Sequence, residues 1–363
     1  MWCQLNLYYN EIKFLDKVEI MTKPRFTIQS INCYPGTLKT IYFPLPSLYD
    51  LTAVNMPVHV ICGKKQGPTI WVTAAIHGDE INGIEIVRRL LKKPGLRKMA
   101  GNLIVIPIVN VYGFLYQKRH LMDRRDLNRS FPGSLEGSIA SRLANLIVSE
   151  ICPLATHVID LHSGSNHRFN LPQIRTNLDI QENEALALAF NSPVILHSAY
   201  RDGSLREYVN EKGIPFLLYE AGEALRFDEL SIRTGLNGIL SVMASLDMIS
   251  AGRYRVKQFS PVVSRHSSWI RAPQSGILRA LKKAGQKIIK GQTIAIICNP
   301  ANQQEYKLQS PISGIIIGDN KLPLIHEGEA LFHVASFDSL SSIEEQLDSI
   351  QDIYDLTDDD AIF

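Results

Sequence analysis

Apolar runs alternate with amphipathic segments between residue 27 and about residue 255. The segments 83–93, 135–151 and 181–190 predict helices, and in the second of these Leu135, Ile139, Leu146 and Ile147 share one face. The apolar runs predict strands at 57–62 (PVHVIC), 69–76, 102–109 (NLIVIPIV), 157–162 (HVIDLH), 193–197 (PVILH) and 215–220 (PFLLYE). This alternation predicts an α/β fold with a largely parallel or mixed sheet.

The pattern changes near residue 260, where short apolar runs are separated by Gly and Pro at regular spacing. Two near copies, APQSGIL and SPISGII, begin 38 residues apart. Such a repeat predicts a duplicated β-hammerhead or a small β-barrel. We therefore divide the chain into an N-terminal extension (1–26), an α/β domain (27–258), a β-barrel domain (259–336) and an acidic tail (337–363). Disorder is expected for the tail, and a weakly amphipathic helix is the alternative.

Composition places the chain among ordinary globular proteins, with 45% hydrophobic and 20% charged residues. No apolar run reaches the roughly 18 residues that a membrane span requires, and the first 20 residues lack the apolar centre of a secretory signal. The five cysteines (Cys3, Cys33, Cys62, Cys152, Cys298) are scattered, which predicts reduced thiols. These features predict a cytoplasmic protein that does not bind membranes.

The small net charge of +2 hides an asymmetry. Residues 337–363 contain nine Asp or Glu and no Lys or Arg, which leaves 38 basic and 27 acidic side chains in the rest of the chain. A basic body indicates either an anionic substrate or neutralisation by the tail. Nucleic acid is not expected as a partner, because no dense Lys/Arg run interleaved with aromatic residues occurs.

Three polar residues end predicted strands: His77, His162 and Glu220. Because the carboxyl ends of such strands meet at one edge of an α/β sheet, these residues can share a site. Glu80 follows His77 by three residues at a strand-to-helix turn. Two histidines, a carboxylate and an open position are the ligand set of a catalytic zinc ion. The alternatives are a surface His/Glu pair at a helix start and a hydrogen-bonded core histidine.

The segment KRHLMDRRDLNRSFPG (118–133) is rich in hydrogen-bond donors. Arginine forks suit bidentate binding of a carboxylate. A solvated basic loop is the alternative, but Leu and Phe among the charges in DLNRSFPG favour an anchored segment that fixes Asn128 and Arg129.

Five ordered motifs, HGDE, RDLNRSFPG, DLHSG, NLPQIR and YEAGEALRFDE, resemble the succinylglutamate desuccinylase/aspartoacylase family, whose members are relatives of the M14 zinc carboxypeptidases. The resemblance spans about residues 30–335. It implies a zinc-carboxypeptidase-like mixed sheet flanked by helices, so that 27–258 is a zinc hydrolase domain. The following all-β barrel resembles lipoyl/biotinyl domains, but no lysine with a methionine neighbour marks a modification site.

The resemblance also implies the role of each motif residue. His77, Glu80 and His162 would bind Zn²⁺, and Asp126 would orient the first histidine from behind. Glu220 would be the general base and acid, and Arg119 would polarise the scissile carbonyl. Asn128 and Arg129 would hold a free carboxylate of the substrate. His167, Arg168 and Arg175 are expected near the pocket.

The sequence therefore predicts a zinc-dependent amidohydrolase that removes an acyl group from an N-acyl amino acid or a similar small amide. A zinc carboxypeptidase or peptide-amide hydrolase, and a non-catalytic metal-binding module, are the alternatives. The expected partner is a small molecule that carries a carboxylate. The barrel is expected to wall the entrance of the active site or to build a homo-oligomer. Serine-hydrolase and nucleotide-binding motifs do not occur.

Overall fold

The structure, a computed structural model, describes residues 25–250 and 261–336. Most of the predicted N-terminal extension, the predicted domain boundary at residues 258 and 259 and the whole predicted acidic tail lie outside the described residues.

Strands dominate both described parts of the chain. Residues 25–250 contain β1 (Phe26–Ile28), β2 (Ile31–Cys33), β3 (Leu38–Leu45), β4 (Val54–Cys62), β5 (Lys65–Ala74), β6 (Ala100–Ile106), β7 (His157–Gly164), β8 (Arg168–Thr176), β9 (Val194–His197) and β10 (Phe216–Glu223). Residues 261–336 contain β11 (Val262–Ser264), β12 (His266–Arg271), β13 (Gly276–Ala280), β14 (Lys287–Ile288), β15 (Thr293–Cys298), β16 (Glu305–Gln309), β17 (Gly314–Asn320), β18 (Leu324–Ile325) and β19 (Ala330–Ser336).

The helices of the described residues all lie between residues 82 and 245. They are α1 (Asn82–Leu91), α2 (Val111–Leu115), α3 (Ile139–Glu150), α4 (Gln181–Phe190), α5 (Leu205–Glu211) and α6 (Glu229–Ser245), with short 3₁₀ turns at Leu96–Lys98, Leu127–Arg129 and Cys152–Leu154. In the described part of the chain, no helix has the length and apolar character needed to cross a membrane.

The large sheet is mixed, as the sequence pattern predicts. Its main path runs β12-β19-β17-β8-β10-β7-β5-β6-β4-β3. The central strands β10, β7, β5 and β6 are parallel, whereas β8 runs antiparallel to β10, and β4 runs antiparallel to both β6 and β3. Parallel strands place their carboxyl ends at one edge, and this edge carries the candidate site.

Helices cover both faces of the central strands. Trp71 and Val158 pack on one face with α3 and α5, while their neighbours Val72 and Ile159 pack on the other face with α1, α4 and α6. Burial on both faces explains why these strands are nearly continuous apolar runs in the sequence.

Two sequence-based predictions need correction at helix ends. The predicted helix 135–151 begins only at Ile139, because the Ser138 side chain caps it by accepting a hydrogen bond from the backbone N–H of Ser141. Leu135 therefore lies before the helix and is 77% exposed instead of sharing its apolar face. The predicted helix 83–93 ends at Leu91.

Strand β8 and helix α6 were missed by the sequence analysis. Pro172 interrupts the apolar pattern of β8, and Gly235 and Gly238 break that of α6. The two glycines are needed for space: a Cβ at Gly238 would lie 2.1 Å from the ring of Phe190 in α4, and one at Gly235 would lie 2.5 Å from Ile86 in α1.

The region of residues 261–336 is all-β, and β17 joins it to the central sheet by pairing with β8. A second sheet, β16-β15-β13-β18, faces the large one. Leu278, Ile294 and Ile297 from this sheet share a core with Ile315 and Leu331 from the large one. The repeats APQSGIL and SPISGII lead into β13 and β17, respectively. The likeness to lipoyl/biotinyl barrels stays a prediction.

Candidate metal centre and active site

Two histidines and a glutamate that are distant in sequence meet at the edge of the central sheet. His77, Glu80 and His162 are all buried, and each offers a ligand atom that lies within 4.8 Å of the other two. No other group of three or more His, Cys, Asp or Glu among residues 25–250 and 261–336 has this arrangement.

The sheet explains how these residues meet. His162 lies in β7, and His77 follows the end of β5, which is the parallel neighbour of β7. The turn from β5 to α1 brings Glu80 back, with its backbone N–H bonded to the carbonyl of His77 at 3.2 Å. Gly78 is required within this turn, because a Cβ there would lie only 1.9 Å from the backbone of Gly113.

Glu80 lies between the two imidazole rings. Its Oε1 is 2.7 Å from Nδ1 of His77, and its Oε2 is 2.8 Å from Nδ1 of His162. The backbone N–H of Ser163 also donates to Oε2, at 3.0 Å. Burial would raise the pKa of Glu80, but the two histidines outweigh it and hold this pKa well below its usual range. The cluster therefore presents one carboxylate and two Nδ1 atoms to a common point.

A second carboxylate supports each ring from behind. Nε2 of His77 lies 3.2 Å from Oδ1 of Asp126, and Nε2 of His162 lies 2.8 Å from Oδ2 of Asp160. Carboxylates in this position fix the orientation of a metal-ligating imidazole. Asp126 occupies the place that the resemblance implies. Asp160 was missed, although the spacing Asp-Leu-His on a strand places its side chain on the same face as that of His162.

Arg119 connects the cluster to the cavity. Its NH2 donates to Oδ2 of Asp126 at 2.9 Å, and its NH1 lies 3.4 Å from Oε1 of Glu80 and donates to Oγ of Ser165 at 3.1 Å. Burial would lower the pKa of Arg119, but Glu80 and Asp126 outweigh it and raise the pKa. The guanidinium is thus a fixed cation at the cavity wall.

Glu220 lies on β10, beside His162 in the parallel register of β10 and β7. Its Oε2 accepts a hydrogen bond from Nδ2 of Asn170 at 2.8 Å, and its Oε1 lies 3.5 Å from NH1 of Arg175. The side chain is 14% exposed, so it faces the cavity without being fully solvated.

Asn128 and Arg129 follow Asp126 in a short 3₁₀ turn. Oδ1 of Asn128 accepts a hydrogen bond from the backbone N–H of Leu205 at 2.9 Å, which anchors the side chain. NH1 of Arg129 donates to the carbonyl of Asn128. Asn128 is buried, whereas Arg129 is exposed. Partial burial of the guanidinium lowers the pKa of Arg129.

A cavity of about 360 Å³ brings these residues together. Trp269 from β12 contributes to its wall, so the all-β region borders the site. Of the three residues expected near the pocket, Arg168 and Arg175 line the cavity. His167 lies between the lining residues Asn166 and Arg168, and its Nδ1 is 3.5 Å from Oε1 of Glu223. The cavity lining contains two acidic residues, Glu80 and Glu220, and six arginines. The arginines are Arg119, Arg129, Arg168, Arg175, Arg201 and Arg206.

Arg206, which the sequence analysis missed, is the most buried of the six arginines that line the cavity. It is 6% exposed, and its NH2 donates to the carbonyl of Ala199 at 2.6 Å. Its Nε and NH1 have no hydrogen-bond partner within the described residues. The pKa of Arg206 is lowered to about 10, mainly by burial and further by repulsion from the positive charges of Arg175 and Arg201. No local motif marks this residue, because only the fold brings α5 to the cavity.

Fold and site together define an α/β protein with a buried His/Glu/His cluster able to hold a metal ion. The profile of the succinylglutamate desuccinylase/aspartoacylase catalytic domain matches residues 66–246. The N-alpha-acetyl-L-2,4-diaminobutyric acid deacetylase of Halomonas elongata is 26% identical over 254 residues, which cover 67% of this chain and 74% of that protein. The chain belongs to the succinylglutamate desuccinylase/aspartoacylase family, which confirms the resemblance seen in the sequence.

Solved structures agree on the fold. The product-bound ectoine utilization protein EutE (DoeB) of Ruegeria pomeroyi superposes with a TM-score of 0.76 at 22% identity, covering 87% of this chain and 98% of that chain. A succinylglutamate desuccinylase/aspartoacylase of Rhodobacter sphaeroides gives 0.74 at 22% identity, covering 83% and 96%.

Proposed function

We propose that this protein is a zinc-dependent amidohydrolase that removes an acyl group from an N-acyl amino acid or a similar small amide. One observation carries the proposal: Glu220 lies beside His162 on adjacent parallel strands, in the cavity that also contains His77 and Glu80. A potential metal site and a potential proton acceptor thus face the same space. The name of the Halomonas elongata relative, a deacetylase of an acylated amino acid, supports the same reaction class.

The donor set fits zinc. His77, Glu80 and His162 offer two imidazole nitrogens and a carboxylate oxygen, and both histidines turn the same ring atom, Nδ1, toward Glu80. Softer metals would favour thiolates, and Mg²⁺ would favour oxygen ligands alone. Zinc bound by these three residues would act as a Lewis acid and would lower the pKa of a bound water molecule toward about 7.

The protein's own residues perform the proton transfers in this proposal. Glu220 accepts a proton from the attacking water, and it donates that proton to the amine nitrogen as the C–N bond breaks. Arg119 donates hydrogen bonds to the carbonyl oxygen, on which negative charge develops as the water adds. Its contacts with Asp126 and Ser165 hold it in place before the substrate arrives.

The arginine-lined side of the cavity would hold the part of the substrate that does not react. Asn128 and Arg129 are proposed to bind a free carboxylate, as the family resemblance implies. Arg206 joins them in this proposal, because its Nε and NH1 are buried without a partner and point to an anionic ligand. The substrate is therefore expected to be anionic.

The volume of the cavity favours a small amide over a peptide. About 360 Å³ lies near the lower end of the usual range for small-molecule pockets, and Trp269 closes part of the wall. A zinc carboxypeptidase or peptide-amide hydrolase would need an open path for the rest of the peptide. The division into domains, the cytoplasmic location and a homo-oligomeric state stay predictions.

An activity screen tests the proposal. The zinc-loaded protein is assayed against N-acetyl, N-succinyl and N-formyl amino acids and against dipeptides and blocked tripeptides. We expect release of the free amino acid from at least one N-acyl amino acid, and loss of this activity on removal of zinc by a chelator. Activity on peptides alone would replace the deacylase by the peptidase. Absence of zinc binding after reconstitution would overturn the proposal.

A further inference from the structure

Asn170 of β8 lies between two glycines on the neighbouring strands. Its register partners are Gly222 on β10 and Gly318 on β17, and β17 belongs to the all-β region. The side chain is 5% exposed, and its Nδ2 donates to Oε2 of Glu220 at 2.8 Å. Asn170 is thus a buried contact between the all-β region and the proposed general base.

We propose that Asn170 is a positioning residue for Glu220 and that the all-β region takes part in the reaction by holding Asn170 through Gly318. The inference rests on the proposed role of Glu220 in hydrolysis. Beyond that role, it proposes that three residues on adjacent strands act together: Gly318 on β17, Asn170 on β8 and Glu220 on β10.

The chemistry of the contact fixes the orientation of the amide. An ionised carboxylate only accepts hydrogen bonds, so the NH₂ group of Asn170 must face Glu220 and its Oδ1 must face away. A proton acceptor has to direct a lone pair at the attacking water, and small errors in placement cost much of the rate. The hydrogen bond from Asn170 occupies Oε2, whereas the contact of Oε1 with Arg175 is longer, at 3.5 Å. Oε1 is therefore the oxygen available to water.

Gly318 provides the space that this orientation needs. A Cβ at position 318 would lie 2.9 Å from Oδ1 of Asn170 and 3.1 Å from the carbonyl oxygen of Phe169. The first distance is shorter than packed carbon and oxygen atoms accept, so Asn170 would have to move. The glycine is explained by this space and not by backbone conformation, because Gly318 is not among the residues with positive φ.

Replacement of Asn170 tests the first step. Asn170→Leu has a similar branched shape but no donor, and we expect kcat to fall about ten- to a hundredfold while KM and zinc content stay near the wild-type values. A residue that only fills space would lower the melting temperature and leave kcat unchanged. Normal kcat in the folded Asn170→Leu protein would overturn the proposal.

Replacement of Gly318 tests the second step. Gly318→Ala should lower kcat without loss of zinc, although no atom of residue 318 lines the cavity. Ile315→Val on the same strand is the matched control, because it disturbs the buried core of the all-β region without contacting Asn170. Equal kcat values for Gly318→Ala and Ile315→Val at equal melting temperature would contradict the connection.

A double-mutant cycle separates a specific path from general damage. In an Asn170→Ala background, Oδ1 is gone, so Gly318→Ala should cost little further kcat. Full additivity of the two losses would show that Gly318 acts elsewhere.

A structural measurement, which does not depend on enzymatic activity, tests this inference separately from the proposed function. Crystal structures of Asn170→Leu and Gly318→Ala should show the Glu220 carboxylate rotated relative to the wild type, whether or not any tested amide is a substrate. An unmoved Glu220 in both variants overturns the inference even if the deacylase is confirmed. A rotated Glu220 in a protein without amidase activity would support the structural connection from Gly318 through Asn170 to Glu220 and would reject the proposed function.

Discussion

The acidic and the basic part of the cavity lining differ in how their charged groups are paired. The acidic part, called the cluster side, consists of His77, Glu80 and His162 with the carboxylates behind them, and the basic part, called the far side, is lined by Arg129, Arg175, Arg201 and Arg206. On the cluster side, both oxygens of Glu80 have partners, and Asp126 and Asp160 each contact a histidine. On the far side, Nε and NH1 of Arg206 are buried without partners in the described part of the chain. Within the described residues, the unpartnered buried atom on the cluster side is an acceptor, Oδ1 of Asp160, whereas on the far side the unpartnered atoms are the donors of Arg206.

In the proposed function, each side would be completed by an ion of opposite charge. A buried cluster of carboxylates and imidazoles gains most from a cation, and a set of desolvated guanidinium groups gains most from an anion. A substrate that is neutral at its amide and anionic at its other end would lie between them. The following experiments separate the two sides, beginning with the largest expected effect.

Removal of a metal ligand should abolish activity. His162→Ala removes one of three proposed ligands, so we expect zinc to fall from about one per chain to near zero in metal analysis of the dialysed protein. His157→Ala, five residues earlier on the same strand, is the matched control and should keep zinc and activity. Full zinc content in folded His162→Ala would show that the metal binds elsewhere.

Glu220→Gln should separate metal binding from proton transfer. The amide cannot accept a proton, so kcat should fall by about 10²–10⁴, the usual contribution of a general base, while zinc content stays unchanged. Steady-state kinetics and metal analysis on the same preparation measure both. Near-normal turnover would remove Glu220 from the mechanism.

Asp160→Asn should weaken the cluster side without removing a ligand. Asp160 fixes His162 from behind, and loss of such a partner typically lowers metal affinity about 10–100-fold. Competition with a chelator of known affinity measures the change. An unchanged zinc dissociation constant would show that Asp160 does not orient His162 for metal binding.

The cluster side was predictable because its residues carry local signals. His77 and Glu80 are three residues apart at a strand end, and His162 and Glu220 each end an apolar run. The rule that parallel strands share one edge then brought distant residues together. The exact strand ends were less accurate: β7 and β10 continue to Gly164 and Glu223, beyond the predicted ends at 162 and 220.

The far side and the all-β wall could not be predicted in the same way. Arg206, Asn170 and Trp269 have ordinary local surroundings in the sequence. Arg206 reaches the cavity because α5 packs against β10. Asn170 reaches it because β8 pairs with both β10 and β17, and Trp269 because β12 belongs to the same sheet. Pairing between strands more than a hundred residues apart depends on the packing of the whole chain, which local periodicity does not encode.

Arg206→Met should lower activity and raise the stability of the unliganded protein, because it removes a buried charge that has few partners. We expect kcat/KM for carboxylate substrates to fall about a hundredfold, near the upper end for loss of a charged hydrogen bond. The same variant should melt at a higher temperature, because a buried charge with few partners destabilises the unliganded protein, and each kcal/mol gained adds about 2–4 °C. Arg97→Met, at an exposed position, should change neither quantity. A lower melting temperature together with normal kcat/KM would mean that Arg206 is a structural residue.

Arg129→Lys should show the smallest of these effects, because Arg129 is more exposed than Arg206. Lysine keeps the charge but loses the planar two-point fork, so kcat/KM for the carboxylate substrate should fall about tenfold. Substrates with an amide in place of that carboxylate should be poor for the wild type and should lose little more with the variant, because the partner is already absent. Arg125→Lys in the same segment, also exposed, is the control and should leave both substrates unaffected. Equal losses for acid and amide substrates would show that Arg129 binds another group, and the basic side of the cavity would then depend on Arg206 and its neighbours.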